Sequence, residues 1–194
     1  MFFPVMLDLY KKLQEIFYPI SIFFLEYTLA PEGKYPTQLR EAVQAYQYLL
    51  QDLNIDPANI IVGSDSAGGN LTLQLFRHIN TPHPEIPIVI PASAKPSKCI
   101  LSSPWLCMDH KAPSYISNAK YDLMTVTNLS RSASRWKGNI SDDFTDPLKA
   151  SYEGWSSILS PTMVLSGRLE LFKDDIQEFC ENLKKVRSRR RATG

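Results

Sequence analysis

The sequence has no excess of charge of either sign, since 21 lysines and arginines balance 20 acidic residues at a net charge of +1. This balance provides no strong field, and no nucleic-acid partner is expected. Its three cysteines, Cys99, Cys107 and Cys180, are odd in number and lack the paired spacing of a metal site. We therefore expect free thiols, an intracellular location in the cytoplasm or endoplasmic reticulum, and no metal or other cofactor.

The sequence also lacks a long hydrophobic run. Its most apolar segment, residues 16–25, is interrupted by Pro19 and is shorter than the roughly 20 apolar residues that cross a membrane. The sequence therefore predicts neither a membrane span nor a signal peptide. With 194 residues and 44% hydrophobic content, the chain suits one domain. We place it at residues 1–186, followed by a basic tail at 187–194 that is expected to be disordered.

Hydrophobic periodicity supplies the elements of that domain. Spacings of three and four residues predict helices, and short continuous apolar runs predict strands covered on both faces. The expected helices are 6–17, 36–53, 66–79, 124–136 and 174–186, and the expected strands are 20–25, 59–63, 98–103 and 162–167. This alternation predicts an α/β fold, with a mostly parallel sheet and helices on both faces. Residues 106–160 have weak periodicity and form either a substrate-contacting insert or a surface layer.

One short stretch carries the expected chemistry. Gly63-Ser64-Asp65-Ser66-Ala67-Gly68-Gly69-Asn70 joins an apolar run to a helix, which is the layout of a nucleophile elbow. Ser66 stands at its centre, with small residues two positions away on each side, although glycine is more usual than serine at position 64. The backbone N–H of Ala67, at the start of the helix, would point at an oxyanion. The turn favours acyl transfer, and an inert Ser/Gly loop is the alternative.

Together with further motifs, this stretch resembles the hormone-sensitive-lipase-like branch of the α/β-hydrolase fold, a family of esterases and lipases. The markers are Glu26-Tyr27-Thr28-Leu29-Ala30-Pro31-Glu32, Tyr35-Pro36, Asp65-Ser66-Ala67-Gly68-Gly69-Asn70, Ser103-Pro104-Trp105 and Gly167-Arg168-Leu169-Glu170-Leu171-Phe172-Lys173-Asp174-Asp175. The resemblance covers residues 6–186 and is greatest to fungal members. It implies an α/β-hydrolase fold and hydrolysis of a small lipophilic carboxylic ester through an acyl-enzyme on Ser66.

The resemblance also implies an acid for the catalytic triad. The family places its carboxylate three residues after the glycine of the last motif, which is Glu170 here, although aspartate is more usual. Asp174 and Asp175 are alternatives, but their position at the start of a helix suits pairing with the helix dipole. The residues expected at the substrate pocket are Asp65, Trp105 and Leu106.

No histidine follows the acid, where the family places the catalytic base, because all three histidines precede Glu170. His78 lies twelve residues from Ser66 on the same helix, about 18 Å away. His83 and His110 are expected to be solvated loop residues. The family's His-Gly-Gly-Gly oxyanion loop is absent as well. We therefore expect a chain truncated at both ends, or a degenerate homologue.

Two functions remain open from the sequence, beside a third alternative in which the stretch is a structural remnant that never folds stably because sheet strands are missing and edges are exposed. The first is a serine carboxylic-ester hydrolase that is inactive as this piece of chain. The second is a non-catalytic protein that binds a hydrophobic ligand or partner in the retained pocket. Retention of Ser66 and Glu170 favours the hydrolase, while the missing base favours the binding protein. Membrane association of a full-length form also stays open.

Overall fold

A three-stranded parallel sheet in the order β1-β2-β3 forms the centre of the computed structural model, which describes residues 2–17, 19–152, 155 and 158–193. The strands are β1 (Ile61–Asp65), β2 (Lys98–Ser102) and β3 (Thr162–Leu165). The helices are α1 (Phe2–Glu15), α2 (Thr37–Gln51), α3 (Ser66–Asn80), α4 (Ser114–Ser117), α5 (Val126–Lys137) and α6 (Lys173–Thr193). Short 3₁₀ turns occupy Pro57–Asn59 and Ala92–Ala94.

Strand register places the ends of the three strands in one row. Asp65 pairs with Ser102, and Ser102 pairs with Leu165. Because the strands are parallel, the residues that follow each of them emerge at the same side of the sheet. We call this row, Asp65-Ser102-Leu165, the carboxyl edge. In open α/β sheets, the carboxyl edge is the place where ligands bind.

Helix α3 has ten buried residues among its 15 and lies between two hydrophobic clusters. One cluster contains its Leu71 and Leu75 together with the buried side of α2, and the other contains its Leu73 and Phe76 together with parts of α5 and α6. The buried apolar positions of α2 have the predicted helical spacing: Leu39, Ala42, Val43 and Tyr46. Because α3 is held from two directions, its first residue has a fixed position at the carboxyl edge.

Gly69 permits close packing between α3 and the chain that follows β2. A Cβ at this position would lie 2.7 Å from Cβ and 2.9 Å from Cα of Pro104, which is too close for real atoms. A Cβ at Gly68 would lie 3.5 Å from Cβ of Ser64, an ordinary contact distance. Of the two glycines that follow Ser66, Gly69 is therefore the one that this contact requires.

One predicted strand is wrong, because residues 19–29 form no regular secondary structure. The prediction of a strand at 20–25 assumed cover on both faces. In the structure, Phe23 and Phe24 are 51% and 44% exposed, so that condition is not met. Leu25 and Tyr27 contact the cluster around α2, so the segment still packs against the body of the protein.

Other differences concern the ends of elements. Strand β1 ends at Asp65, two residues later than predicted, so no loop residue separates it from α3. Helix α1 begins at Phe2, four residues before its predicted start at residue 6. Helix α6 continues to Thr193 and takes in most of the segment 187–194, which was expected to form a tail. The other predicted elements lie within a few residues of their expected bounds.

The two glycines after the elbow serine should respond differently to substitution by alanine. We expect Gly69→Ala to lower the free energy of unfolding by roughly 1–3 kcal/mol, because the new methyl group overlaps the backbone of Pro104. Gly68→Ala should leave it unchanged or raise it by up to about 1 kcal/mol, because alanine favours the helix. Urea unfolding of both variants measures the difference, and equal losses in the two would contradict the packing described for Gly69.

Candidate active site

Ser66 joins β1 directly to α3 and has a left-handed backbone, with a φ of 50°. For a residue other than glycine this conformation costs roughly 1–3 kcal/mol, so its surroundings must hold it in place. One restraint is a hydrogen bond of 3.0 Å from the N–H of Trp105 to the carbonyl of Ser66. The residue is partly exposed. The local geometry is that of a strained turn presenting a serine at the carboxyl edge.

Ser64, which stands where glycine is more usual, is accommodated by a buried polar contact. It is 9% exposed, and its Oγ accepts a hydrogen bond of 2.9 Å from the Oγ1 of Thr72, two turns into α3. A buried hydroxyl without a partner would destabilise the fold by about 1–3 kcal/mol. Serine is therefore accommodated at position 64, where glycine is more usual, because Thr72 on the following helix bonds to its hydroxyl.

Ala67 and Asp65 flank the serine at the carboxyl edge. Ala67 is exposed, and its N–H is among the first four of α3, which have no acceptor within the helix. Asp65 is partly buried. It lies close enough to Tyr27 to act on it electrostatically: burial raises the pKa of the Tyr27 hydroxyl, and the negative charge of Asp65 raises it further. The roles of Ala67 as an oxyanion donor and of Asp65 in a substrate pocket stay predictions.

Glu170 lies in the loop that follows β3 and is held at the carboxyl edge by Ser103. Its Oε2 accepts a hydrogen bond of 2.6 Å from the Oγ of Ser103, the residue after β2. Ser103 has a left-handed φ of 44°, and its N–H donates to the carbonyl of Leu165 at the end of β3. The Oε1 atom of Glu170 is buried and has no hydrogen-bond partner among the described residues. The structure thus places Ser66 and Glu170 after strands that end in the same row.

Two polar side chains from the segment before α5 fix the loop that carries Glu170. The amide Nδ2 of Asn118 donates to the carbonyl of Glu170 at 3.0 Å. The carboxylate Oδ2 of Asp122 accepts the N–H of Leu171 at 2.7 Å. The sequence did not predict these contacts or the contact of Ser103 with Glu170. Each joins residues about 50 or more positions apart, and hydrophobic periodicity carries no signal for them.

The two alternative acids are occupied elsewhere. Asp174 accepts the N–H of Ser114 at 2.8 Å and forms an ion pair with Lys173, and the hydrogen bond from Lys173 lowers the pKa of the Asp174 carboxyl. Asp175 is 4% exposed and accepts a hydrogen bond of 2.7 Å from the hydroxyl of Tyr115. Burial raises the pKa of Asp175 to about 6. Both residues fasten α6 to the start of α4, which favours Glu170 as the acid.

His78, as expected, has its partners away from Ser66. It is fully buried, its Nδ1 accepts the N–H of His83 at 3.0 Å, and its Nε2 therefore carries the proton and donates to the carbonyl of Ile88 at 2.8 Å. Burial lowers the pKa of His78. The ring joins the end of α3 to the proline-rich loop that follows.

His83 and His110 are 5% and 7% exposed, so the expectation that they are solvated is wrong. Aromatic side chains surround both: Tyr35 and Phe144 pack edge-on against His83, and the indole of Trp105 stacks on His110. The Nε2 of His110 accepts the indole N–H of Trp105 at 3.1 Å, and burial lowers the pKa of His110. The Nδ1 of His83 accepts the N–H of Glu85 at 3.2 Å.

Trp105 and Leu106, predicted at the substrate pocket, are 6% and 0% exposed and belong to a core cluster. The main chain of Trp105 nevertheless adjoins the elbow, because its N–H bonds to Ser66 and its carbonyl accepts the amide of Asn70 at 2.8 Å. The motif had marked Asn70 as part of the elbow without indicating this contact. The assignment of Trp105 and Leu106 to an acyl pocket stays a prediction.

Neither a metal site nor a membrane span is found in the described part of the chain. Within it, no group of three or more histidine, cysteine or acidic side chains is arranged to hold a metal ion. None of the described helices has both the length and the apolar character needed to cross a membrane. The prediction of free thiols is confirmed, and burial raises the pKa of both Cys99 and Cys107 to about 12.

A serine at a strained strand-to-helix junction, with a carboxylate after a later strand of the same parallel sheet, is the arrangement of α/β hydrolases. The chain belongs to this family, since the profile of the alpha/beta hydrolase fold matches residues 18–192. The crystal structure of an esterase from the bacterial hormone-sensitive lipase family superposes with a TM-score of 0.69 at 28% identity. The resemblance to the hormone-sensitive-lipase-like branch is thereby confirmed, as is the fold class.

Curated relatives carry esterase names. An esterase of Acinetobacter venetianus is 30% identical over 184 residues, which are 91% of this chain and 54% of that protein. An acetyl-hydrolase of Streptomyces hygroscopicus is 30% identical over 159 residues, covering 80% of this chain and 48% of the relative. The superposition with the bacterial esterase covers 84% of this chain and 51% of that protein. The chain therefore spans about half the length of the relatives it matches. The fungal character and the truncation stay predictions.

Asp174 and Asp175 should give opposite pH dependences when each is changed to asparagine. The pKa of Asp175 is raised in the folded state, so its ionisation opposes folding. As the pH rises from about 4 to about 6, the wild type should therefore lose roughly 3 kcal/mol of its free energy of unfolding through this group. Relative to the wild type, Asp175→Asn should therefore gain stability over that interval and keep the gain at higher pH.

The pKa of Asp174 is lowered in the folded state, so its ionisation favours folding. Asp174→Asn should lose stability relative to the wild type as the pH rises through the ordinary range of a carboxyl group. Urea unfolding of both variants over a series of pH values measures the two trends. Parallel trends in the two variants would show that the burial of Asp175 does not control its ionisation.

Proposed function

We propose that this chain provides the nucleophile and the acid of a carboxylic-ester hydrolase. The observation that carries the proposal is the pairing at the carboxyl edge: Ser66 in a left-handed turn at the end of β1, and Glu170 held by Ser103 beyond the ends of β2 and β3. Strain of this kind is retained where it serves a function. The esterase and acetyl-hydrolase names of the relatives agree with this class of reaction.

The proposed reaction is an acyl transfer to the side chain of Ser66. Its Oγ attacks the carbonyl carbon of the ester while a base removes the hydroxyl proton, and the N–H of Ala67 donates to the oxyanion that forms. The alcohol leaves with the proton, which gives the acyl-enzyme. Water then attacks the acyl-enzyme with the help of the same base and releases the acid.

Glu170 orients the base in this scheme. A triad carboxylate accepts an N–H from an imidazole and stabilises the imidazolium that forms during catalysis. One oxygen of Glu170 is already held by Ser103, and the buried Oε1 has no partner in the described part of the chain, so it suits an N–H donor. Glutamate, although less usual than aspartate here, has the length to reach Ser103 from a loop that begins after β3.

None of the three histidines of the sequence is suited to act as that base. The described hydrogen bonds of His78, His83 and His110 lead to other residues, and all three rings are buried. Loss of one triad member lowers turnover on the order of 10⁴- to 10⁶-fold. We therefore propose that the 194-residue polypeptide by itself has no appreciable esterase turnover.

The substrate proposed is a small lipophilic ester. The main chain of Trp105 bonds directly to Ser66, which supports an apolar pocket beside the elbow, although the side chains of Trp105 and Leu106 are buried in the core and offer little surface to an acyl chain. The net charge of +1 gives no preference for a charged substrate.

The burial of the histidines favours a second candidate, a protein that binds a hydrophobic ligand or partner without catalysis. In this case Ser66 and Glu170 would be retained for their structural contacts. The two candidates differ in one property, the reactivity of the Ser66 hydroxyl when a base is supplied.

Imidazole added to the solution tests this property. With p-nitrophenyl acetate as the substrate, we expect the wild-type chain to show no hydrolysis above the buffer rate. Added imidazole should produce a rate above the protein-free imidazole blank, because it can accept the Ser66 proton while donating to Glu170. Ser66→Ala should abolish that increment, and Glu170→Gln should reduce it at least about ten-fold, since an amide holds the imidazole poorly and does not stabilise its charged form.

Ser130→Ala is a matched control, because it removes the hydroxyl of an exposed serine that is not at the elbow. It should retain the full imidazole-dependent rate. Hydrolysis by the wild type without imidazole that disappears in Ser66→Ala would show that the chain contains its own base. An increment that survives in Ser66→Ala would refute the catalytic proposal and leave the binding protein.

A further inference from the structure

The segment before and within α5 has a strong local excess of positive charge. Residues 110–140 contain five basic residues and one acidic residue, Asp122. Both carboxyl oxygens of Asp122 are engaged with backbone N–H groups, those of Met124 and Leu171. Two of the five basic residues form ion pairs with aspartates outside this segment, Lys111 with Asp109 and Lys137 with Asp146, so the local excess rests on Lys120, Arg131 and Arg135.

The outward side of α5 has the chemistry of an anion-binding surface. A shallow depression of about 560 Å³ lies along it and is lined by Val126, Thr127, Ser130, Arg131, Ser134 and Arg135. Arg131 and Arg135 are one helical turn apart, a spacing at which like charges repel and slightly destabilise the helix. Neither arginine has an ion-pair partner within the described residues. Guanidinium groups beside hydroxyls suit phosphate oxygens.

Exposed apolar side chains precede this basic face directly. Leu123 and Ile116 are 90% and 84% exposed, and Tyr121 and Met124 are 55% and 41% exposed. The ammonium group of Lys120 lies 4.8 Å from the ring centre of Tyr121. A run of exposed apolar residues with tyrosine and lysine among them is typical of protein that lies in a lipid–water interface.

The exposed apolar segment, residues 116–124, is bonded to the rest of the protein. Its Asn118 and Asp122 bond to the loop of Glu170, so residues 116–124 are anchored beside the candidate active site. Leu129 and Ala133 bury the opposite side of α5 in the core, so the arginines remain on the outside.

We propose that residues 116–124 and the outward face of α5 together bind an anionic phospholipid surface. In this arrangement Ile116 and Leu123 enter the apolar part of the lipid interface, while Arg131 and Arg135 bind the phosphate groups. A soluble phosphate ester would engage the arginines without the apolar residues. A second copy of the chain would need an acidic surface to meet the arginines. The proposal concerns binding and does not depend on catalysis at Ser66.

Flotation with phospholipid vesicles tests the proposal. The wild-type chain should float with vesicles of phosphatidylcholine mixed with phosphatidylglycerol, and only weakly with phosphatidylcholine alone. Arg131→Gln/Arg135→Gln should weaken the partition into anionic vesicles about twenty-five-fold, since each basic side chain near such a surface contributes roughly five-fold. Ile116→Ser/Leu123→Ser should weaken the partition into both kinds of vesicle.

Matched variants elsewhere control for general effects of charge and hydrophobicity. Lys34→Gln/Lys98→Gln removes the same charge from other exposed positions, and Val89→Ser removes an apolar side chain that is 69% exposed. Both should bind like the wild type.

The proposal is overturned if the wild type does not float with anionic vesicles or if the arginine variant floats like the wild type. Complete release by inorganic phosphate would indicate a soluble-anion site instead. Loss of a dimer in Ile116→Ser/Leu123→Ser during gel filtration would assign the apolar segment to self-association.

Discussion

The left-handed backbone of Ser66 is the constraint on which the rest of the site depends. It is unfavourable for serine by itself, and it persists because β1 ends on one side and the packed helix α3 begins on the other. The N–H of Trp105 holds the Ser66 carbonyl, and the absence of a side chain at Gly69 allows Pro104 to approach. The packing of α3 between two hydrophobic clusters therefore determines where a single hydroxyl is presented.

The parallel register extends this constraint to the acid. Because Asp65, Ser102 and Leu165 form one row, the residues after the three strands converge. Ser103 uses this convergence twice, since its N–H bonds to the end of β3 and its hydroxyl bonds to Glu170. Asn118 and Asp122 then hold the loop from the outside. The family resemblance predicts a serine at position 66 and a carboxylate at position 170, and these contacts account for where the two side chains lie.

Sequence periodicity predicted most helices and three of the four strands, because buried apolar positions of α2, α3 and the described sheet repeat along the chain. It was wrong at 20–25, where an apolar run is half exposed and pairs with no described strand. The elbow was recognisable because its small residues are contiguous. The role of Ser103, the burial of His83 and His110, and the anchoring of Asp174 and Asp175 depend on contacts between distant segments, which no local pattern encodes.

Reaction with a small fluorophosphonate in imidazole buffer, followed by peptide mass spectrometry, tests the central claim most directly. If the fold presents Ser66 as a nucleophile beside Glu170, the folded chain should carry a phosphonyl group on Ser66 and on no other serine, and urea-unfolded chain should carry none there. Equal labelling of several serines, or labelling of Ser66 when the reagent is added to urea-unfolded chain, would contradict the claim that the strained turn creates the site.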